Sequence, residues 1–239
     1  LIAATQMRLG KTAAAAQTFK SIVDIDPYLK DSWSGLLTSL FLTGKVPNLD
    51  RAVNRAKQYH PDEAVVRTFE GIVLVMKGQP ELAKPMLEQV LESSPSQPFA
   101  NHSLGLIERA GGNADRAEQF LAEEIRLNPP AIPARRTMVE ILAEQRRYAE
   151  QLDQLNAIRA IEPPNPLTLH SSAQALFNLQ RFDEAEVLTN QCHELEESYA
   201  GCWMLAANIL QKQGKEKQAL EAYNRAVALS PGRTTPAGQ

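Results

Sequence analysis

Along residues 200–233 the apolar side chains fall on two stripes. Trp203, Ala206, Ala207 and Leu210 recur at helical spacing and predict one amphipathic helix; Ala219, Tyr223, Ala226 and Val227 predict a second. Gly214 closes the first stripe and Pro231 follows the second, the places where a C-terminal glycine and a helix-ending proline belong. The same pair of stripes repeats upstream every 34 residues. The proline recurs as Pro27, Pro61, Pro95, Pro129, Pro163 and Pro231, and its missing beat falls at Glu197. The turn glycine recurs as Gly10, Gly44, Gly78, Gly112 and Gly214, with Arg146 and Gln180 at the two beats it skips. Two markers with one period predict a stack of helix-turn-helix repeats. With the proline as position 32, the repeats run 1–29, 30–63, 64–97, 98–131, 132–165, 166–199 and 200–233, a single solenoid over 1–233 followed by a disordered tail or linker at 234–239.

The packing that joins the helices is also periodic. Small residues recur at position 8 (Ala3, Gly71, Gly105, Ala173, Ala207) and at position 20 (Ala15, Ala83, Ala117, Ala185, Ala219). Larger ones recur at position 24, as Phe19, Val53, Leu87, Leu121, Leu155 and Tyr223. Small beats let two helices approach and large beats fill the neighbouring hole, so all of these read as core.

The order Trp203, Ala206-Ala207, Leu210, Gly214, Ala219, Tyr223, Ala226, Pro231 resembles the tetratricopeptide repeat signature. Trp33, Leu36, Leu40 and Gly44 match it in the second repeat, and Gly71, Leu74, Gly78, Ala83, Leu87 and Pro95 in the third. Leu104, Gly105, Gly112, Ala117, Leu121 and Pro129 match it in the fourth, so the resemblance covers essentially residues 1 to 233. It implies an all-α fold, a right-handed α-solenoid of antiparallel helix pairs, in which the first helix of each repeat (helix A) lines a concave groove. The groove positions implied in this way are Phe41, Val65, Phe69, Ile72, Met76, Phe99, Leu106, Arg109, Arg136, Glu140, His170, Gln174, Asn178 and Asn208. They divide into an apolar half, with Leu42 and Val75 added, and a polar half of mixed sign. The apolar half fits a docked peptide or helix, with Phe69, Ile72 and Met76 as anchors and Phe69→Asp expected to abolish binding while helicity stays intact. The competing reading is that superhelical winding, or a further segment, covers the stripe. The carboxylate clamp of chaperone-binding members is not matched: of its expected cations and asparagines only Arg136 and Asn208 are present, in repeats that are not adjacent.

The repeat signature is interrupted in places. The fifth repeat lacks the turn glycine (Arg146) and the small position 20 (Gln151), and the sixth has Gln180 and Glu197 for glycine and proline. Lower stability is expected there. Val46-Pro47 is expected to disturb the start of the second repeat's second helix (helix B), and Pro85 to kink a helix interior. Pro98, Pro133 and Pro166 suit first-turn positions.

A net charge of -3 over 239 residues argues against a nucleic-acid or polybasic membrane role, and no apolar run has the ~18 residues a membrane-spanning helix needs. A soluble protein is expected, cytoplasmic or periplasmic, without direct membrane insertion. Cys192 and Cys202 are too few for a disulfide framework. They read as two separate buried thiols, with a disulfide open to them in an oxidising compartment. Gly10-Lys11-Thr12 lacks the upstream glycine of a phosphate-binding loop, since Thr5 stands there. His102 and His170 lie two repeats apart and share no metal, and Asn101-His102-Ser103 falls within a predicted helix. No cofactor, metal or catalytic residue is expected, and the chain is not expected to be an enzyme. The function expected is a scaffold that holds a protein or peptide partner. The alternatives are a substrate-recognition or regulatory segment of a larger enzyme such as a transferase, or a part of a secretion or envelope-assembly machine. A start inside a helix and the absence of a capping helix also lead to the expectation of a fragment, or of self-association through uncapped ends.

Overall fold

The computed structural model describes residues 1–230; Pro231 and the tail expected at 234–239 lie outside the described residues. Among the described residues there are fourteen helices and no strand. They are α1 (Ile2–Arg8), α2 (Thr12–Ile25), α3 (Lys30–Leu42), α4 (Val46–Tyr59), α5 (Ala64–Met76), α6 (Pro80–Ser93) and α7 (Ala100–Ala110). There follow α8 (Ala114–Leu127), α9 (Ile132–Glu144), α10 (Tyr148–Ile161), α11 (Pro166–Asn178), α12 (Phe182–Leu195), α13 (Ala200–Lys212) and α14 (Glu216–Leu229). Odd-numbered helices are the A helices of the period and even-numbered ones the B helices. The fold is an all-α solenoid of helix pairs. It divides into two compact units, Leu1–Ala134 and Arg135–Gln239, the boundary falling in the first turn of α9.

In the first unit the core runs through α2 to α5 around Trp33, Leu37, Leu49, Val53 and Phe69, with a second cluster of Ala83, Leu87 and Leu104. The small beats are needed there: a Cβ on Gly71 would lie 2.9 Å from Leu87 Cγ, and one on Gly105 2.9 Å from Leu121 Cγ. In the second unit Leu155, Leu169, Leu188, Leu205 and Ile209 form the core, and Ala206, Ala207 and Ala222 pack with Trp203 and Tyr223. Trp33 and Trp203 hold the repeat joints in the same way. Each indole Nε1 donates, at 2.8 Å, to the backbone carbonyl six residues earlier, that of Pro27 and of Glu197 respectively. Glu197 thus fills the joint without the proline ring.

The A-to-B turns close on a left-handed residue. At Gly78, with φ +73°, the glycine N–H donates to Val75 O and the following Gln79 N–H to Leu74 O, both at 2.9 Å. Arg146 (φ +59°) and Gln180 (φ +61°) adopt the same turn without being glycine. Their N–H groups bond Ala143 O and Phe177 O, and the next residues bond Leu142 O and Leu176 O. The turn is dictated by the packing of the two helices, so a residue with a Cβ is forced into it. Replacing either with glycine relieves that strain and outweighs the extra freedom of the unfolded chain, for an expected gain of about 0.5–1 kcal/mol each. Urea unfolding of Arg146→Gly and Gln180→Gly measures this; a midpoint unchanged or lowered in both would show that the turn is not strained.

Two proline expectations change. Val46 and Pro47 open α4 cleanly, because proline at the first turn gives up an N–H that has no helical partner anyway. Pro85 lies inside α6, which spans Pro80–Ser93. Pro98 does not enter a first turn: Phe99 follows it with φ +70° and α7 begins only at Ala100. The cysteines are also corrected. Cys192 on α12 and Cys202 on α13 form a disulfide, with Cα atoms 6.4 Å apart, because the two buried beats face one another across the joint.

Candidate functional site

The helix A face of the first unit is built on three phenylalanines. Phe41 closes the C-terminal half of α3, Phe69 sits mid-way along α5, and Phe99 precedes α7. Their ring centroids lie 5.2 to 6.0 Å apart, edge-on or tilted. Such geometry joins successive A helices directly across the face. Its consequence is burial. Phe69 is 0% exposed and Ile72 3%, so neither meets solvent and the expectation that they are surface anchors is corrected. The winding alternative holds at the centre of the stripe. Apolar surface remains at its margins: Leu42 is 43% exposed and Met76 40%, while Phe41, Val65, Phe99 and Leu106 are half-buried. Leu42 and Met76 end α3 and α5 at the same position of the period.

Phe99 is held in its left-handed conformation by a buried carboxylate. Glu124 of α8 is 1% exposed; its oxygens accept the backbone N–H of Phe99 at 2.9 Å and of His102 at 3.4 Å, and the Asn128 amide donates to it at 3.0 Å. It supplies the cap for α7 that no N-cap side chain provides. Burial pushes its carboxyl above the ordinary range, opposed by those same N–H bonds. His102, its neighbour on α7, is pushed down to about 4 by burial and is neutral near pH 7. It therefore belongs to the interior and not to the groove. Asn101 beside it is buried as well, which puts the Asn101-His102-Ser103 triplet inside the helix packing.

The polar candidates divide between the units. Arg109 is half-buried in the last turn of α7. In the second unit Arg136 and Glu140 are exposed on α9, and Arg136 pairs with Glu162 at 2.6 Å. On α11, Gln174 donates to Asn178 Oδ1 at 3.4 Å. His170 is half-buried with its ring 5.8 Å from Tyr199, and burial lowers its pKa. Asn208 is exposed on α13, one turn beyond Met204, which is 39% exposed. Glu162 and Tyr199 lie in the joints between repeats, where a helix-face reading of the sequence does not look. No group of histidine, cysteine, aspartate and glutamate among the described residues has the geometry to hold a metal ion. No described helix is long and apolar enough to cross a membrane.

Residues 70–132 match the tetratricopeptide repeat family, and residues 156–226 match subunit 3 of the anaphase-promoting complex, or cyclosome. The chain is a tetratricopeptide repeat protein. Among solved structures it is similar to MamA (41-end) from Desulfovibrio magneticus RS-1, at 16% identity and a TM-score of 0.64 over 73% of this chain and 98% of that one. It is also similar to YrrB, described as a tetratricopeptide repeat protein with an unusual peptide-binding site, at 16% identity and a TM-score of 0.67, covering 76% and 94%. The hetero-tetramer Cut9–Hcn1 of the anaphase-promoting complex gives a TM-score of 0.70 at 19% identity, over 96% of this chain but only 45% of that one. At these identities the likeness is one of fold. Among curated proteins none matches the chain in sequence. The tetratricopeptide fold is that of a protein-interaction scaffold, and its families are generally non-catalytic.

Proposed function

We propose that this tetratricopeptide protein binds a peptide or helix of a partner protein on the A-helix face of its first unit. The observation that carries the reading is the exposed apolar pair Leu42 and Met76, flanked by the half-buried Phe41, Val65, Phe99 and Leu106. The buried Phe69 and Ile72 act as the rigid floor beneath them. A preformed apolar face backed by packed aromatics suits docking with little backbone change. The second unit, taken by itself, presents Arg136, Glu140, Gln174, Asn178 and Asn208 as polar contacts for a partner segment of its own. The peptide-binding site in the description of YrrB supports this reading by analogy of fold.

The test is affinity purification from the native lysate with the wild-type chain and with a Leu42→Glu/Met76→Glu variant, read by mass spectrometry. Both sites are on the surface, so circular dichroism is expected to be unchanged. A partner held by the first and lost by at least about tenfold from the second is the expected result. Equal retention by both would sink the reading.

A second reading is a part of a secretion or envelope-assembly machine. It is favoured by the Cys192–Cys202 disulfide, since such bonds persist in oxidising compartments. Alkylation of both cysteines when native cells are lysed directly into denaturant and thiol reagent, without reduction, would count against it.

A further inference from the structure

A cavity of about 450 Å³ opens between α2, α3 and α4, away from the A-helix face that carries Leu42. Its cause is visible in the repeat. At the two beats where every other repeat but the fifth sets small residues, the second repeat has Leu37 and Leu49, both buried. Large side chains on facing beats hold α3 and α4 apart, and the two helices approach less closely than α5 and α6 or α7 and α8. On the third side α2 presents Ala13 and Ala16, too small to fill the space.

The lining has two chemistries. Trp33, Leu36 and Leu40 share one stripe of α3; Leu40 is half-buried and reaches the space together with Ala13 and Ala52, while Trp33 and Leu36 lie buried beneath as the floor. The rim is cationic: Lys20 from α2, Lys45 from the turn, Arg51 and Arg55 from α4. No carboxylate is among the lining residues, in a chain whose net charge is -3. Asp24 stands beside the rim and pairs with Lys20 and Arg55, and Arg55 also lies 5.6 Å over the Trp33 ring. Arg51 bonds only neutral groups, Asn48 Oδ1 at 2.7 Å and Pro47 O at 3.2 Å, and Lys45 makes no ion pair among the described residues. The uncompensated positive charge is therefore at Lys45 and Arg51, on one side of an apolar hole.

We propose that this cavity is a second binding site, which takes an acidic segment of a partner protein: an apolar side chain enters against Leu40, Ala13 and Ala52 while flanking carboxylates meet Arg51 and Lys45. The volume falls in the range of pockets that enclose a compact group, about 300–1,000 Å³. Cations beside an apolar floor select a ligand that carries both features, and carboxylates with guanidinium give directional, charge-assisted bonds. A bare polyanion such as nucleic acid satisfies the rim but leaves the apolar lining at Leu40, Ala13 and Ala52 uncovered.

The test is fluorescence anisotropy with a fluorescein-labelled, glutamate-rich peptide carrying a central leucine-phenylalanine pair. A control peptide has serines in place of that pair. The protein is the whole 239-residue chain, as wild type, as Lys45→Glu/Arg51→Glu and as Ala13→Phe, which crowds the mouth from an exposed position. Circular dichroism checks that each variant stays folded. The expected result is saturable binding to wild type that weakens with salt, is lost with the serine peptide, and falls at least about tenfold in each variant. Absence of saturable binding by the wild type overturns the proposal. So does equal affinity in all three proteins. Sedimentation with phosphatidylglycerol vesicles through Lys45 and Arg51, with no peptide binding, would also overturn it in favour of a lipid surface. Because Leu42 and Met76 are untouched, failure here is distinguishable from failure of the A-face reading.

Discussion

Phe69→Ala is expected to lower the free energy of unfolding by about 3–5 kcal/mol, the cost of deleting a fully buried aromatic side chain. Phe69 is 0% exposed, packs in one cluster with Trp33, Leu37 and Val73, and touches the rings of Phe41 and Phe99. It therefore ties three consecutive A helices, and its loss opens a cavity that no single neighbour can close. Folded domains hold only about 5–15 kcal/mol in total, so this change takes a large share. Phe69→Asp puts a charge in the same place and is expected to unfold the first unit, in contrast to the sequence-based expectation of a folded, non-binding variant. Urea unfolding followed by circular dichroism measures both. A loss of less than about 1 kcal/mol for Phe69→Ala would mean that the ring is not packed as described.

Reduction of the Cys192–Cys202 bond is expected to lower stability by about 2–3 kcal/mol, the chain-entropy value for a loop of roughly ten residues. The bond joins α12 to α13 at the joint where Glu197 stands in place of the recurring proline, so it restrains a turn that lacks the ring's own restraint. Both sulfurs are buried, and thiol reagents should reach them only after reduction and unfolding. The measurement is the urea midpoint with and without dithiothreitol. An unchanged midpoint, together with free thiols titrated in the unfolded, unreduced protein, would show that the two cysteines are not paired.

Much of the architecture was legible because it is periodic. Glycine and proline act through backbone sterics alone, so their beats mark the A-to-B turns and the repeat joints without reference to distant contacts. The small and large beats marked the core for the same reason: Gly71 and Gly105 have no room for a Cβ against Leu87 and Leu121. Arg146 and Gln180 show the limit of that legibility. Local preference argues against a left-handed residue at either, yet the two helices on each side impose one. Glu124 was detectable in principle. It is the one charged residue at a beat otherwise occupied by Ile22, Ala56, Val90, Ile158, Cys192 and Ala226, which signals a buried polar role. Its partners, the N–H groups of Phe99 and His102, were not detectable, since they depend on where α7 begins.

The sequence by itself determined the all-α repeat fold and the beats of core and turn. Those follow from interactions that repeat every 34 residues and are local to one helix pair. Only the tertiary structure decided how much of the A-helix face reaches solvent, that Cys192 meets Cys202, and that Leu37 and Leu49 hold open a cavity ringed by cations. Each of these depends on how closely successive helices approach. That distance is set by the sum of many side-chain volumes on both partners, and a stripe on a single helix carries no record of it.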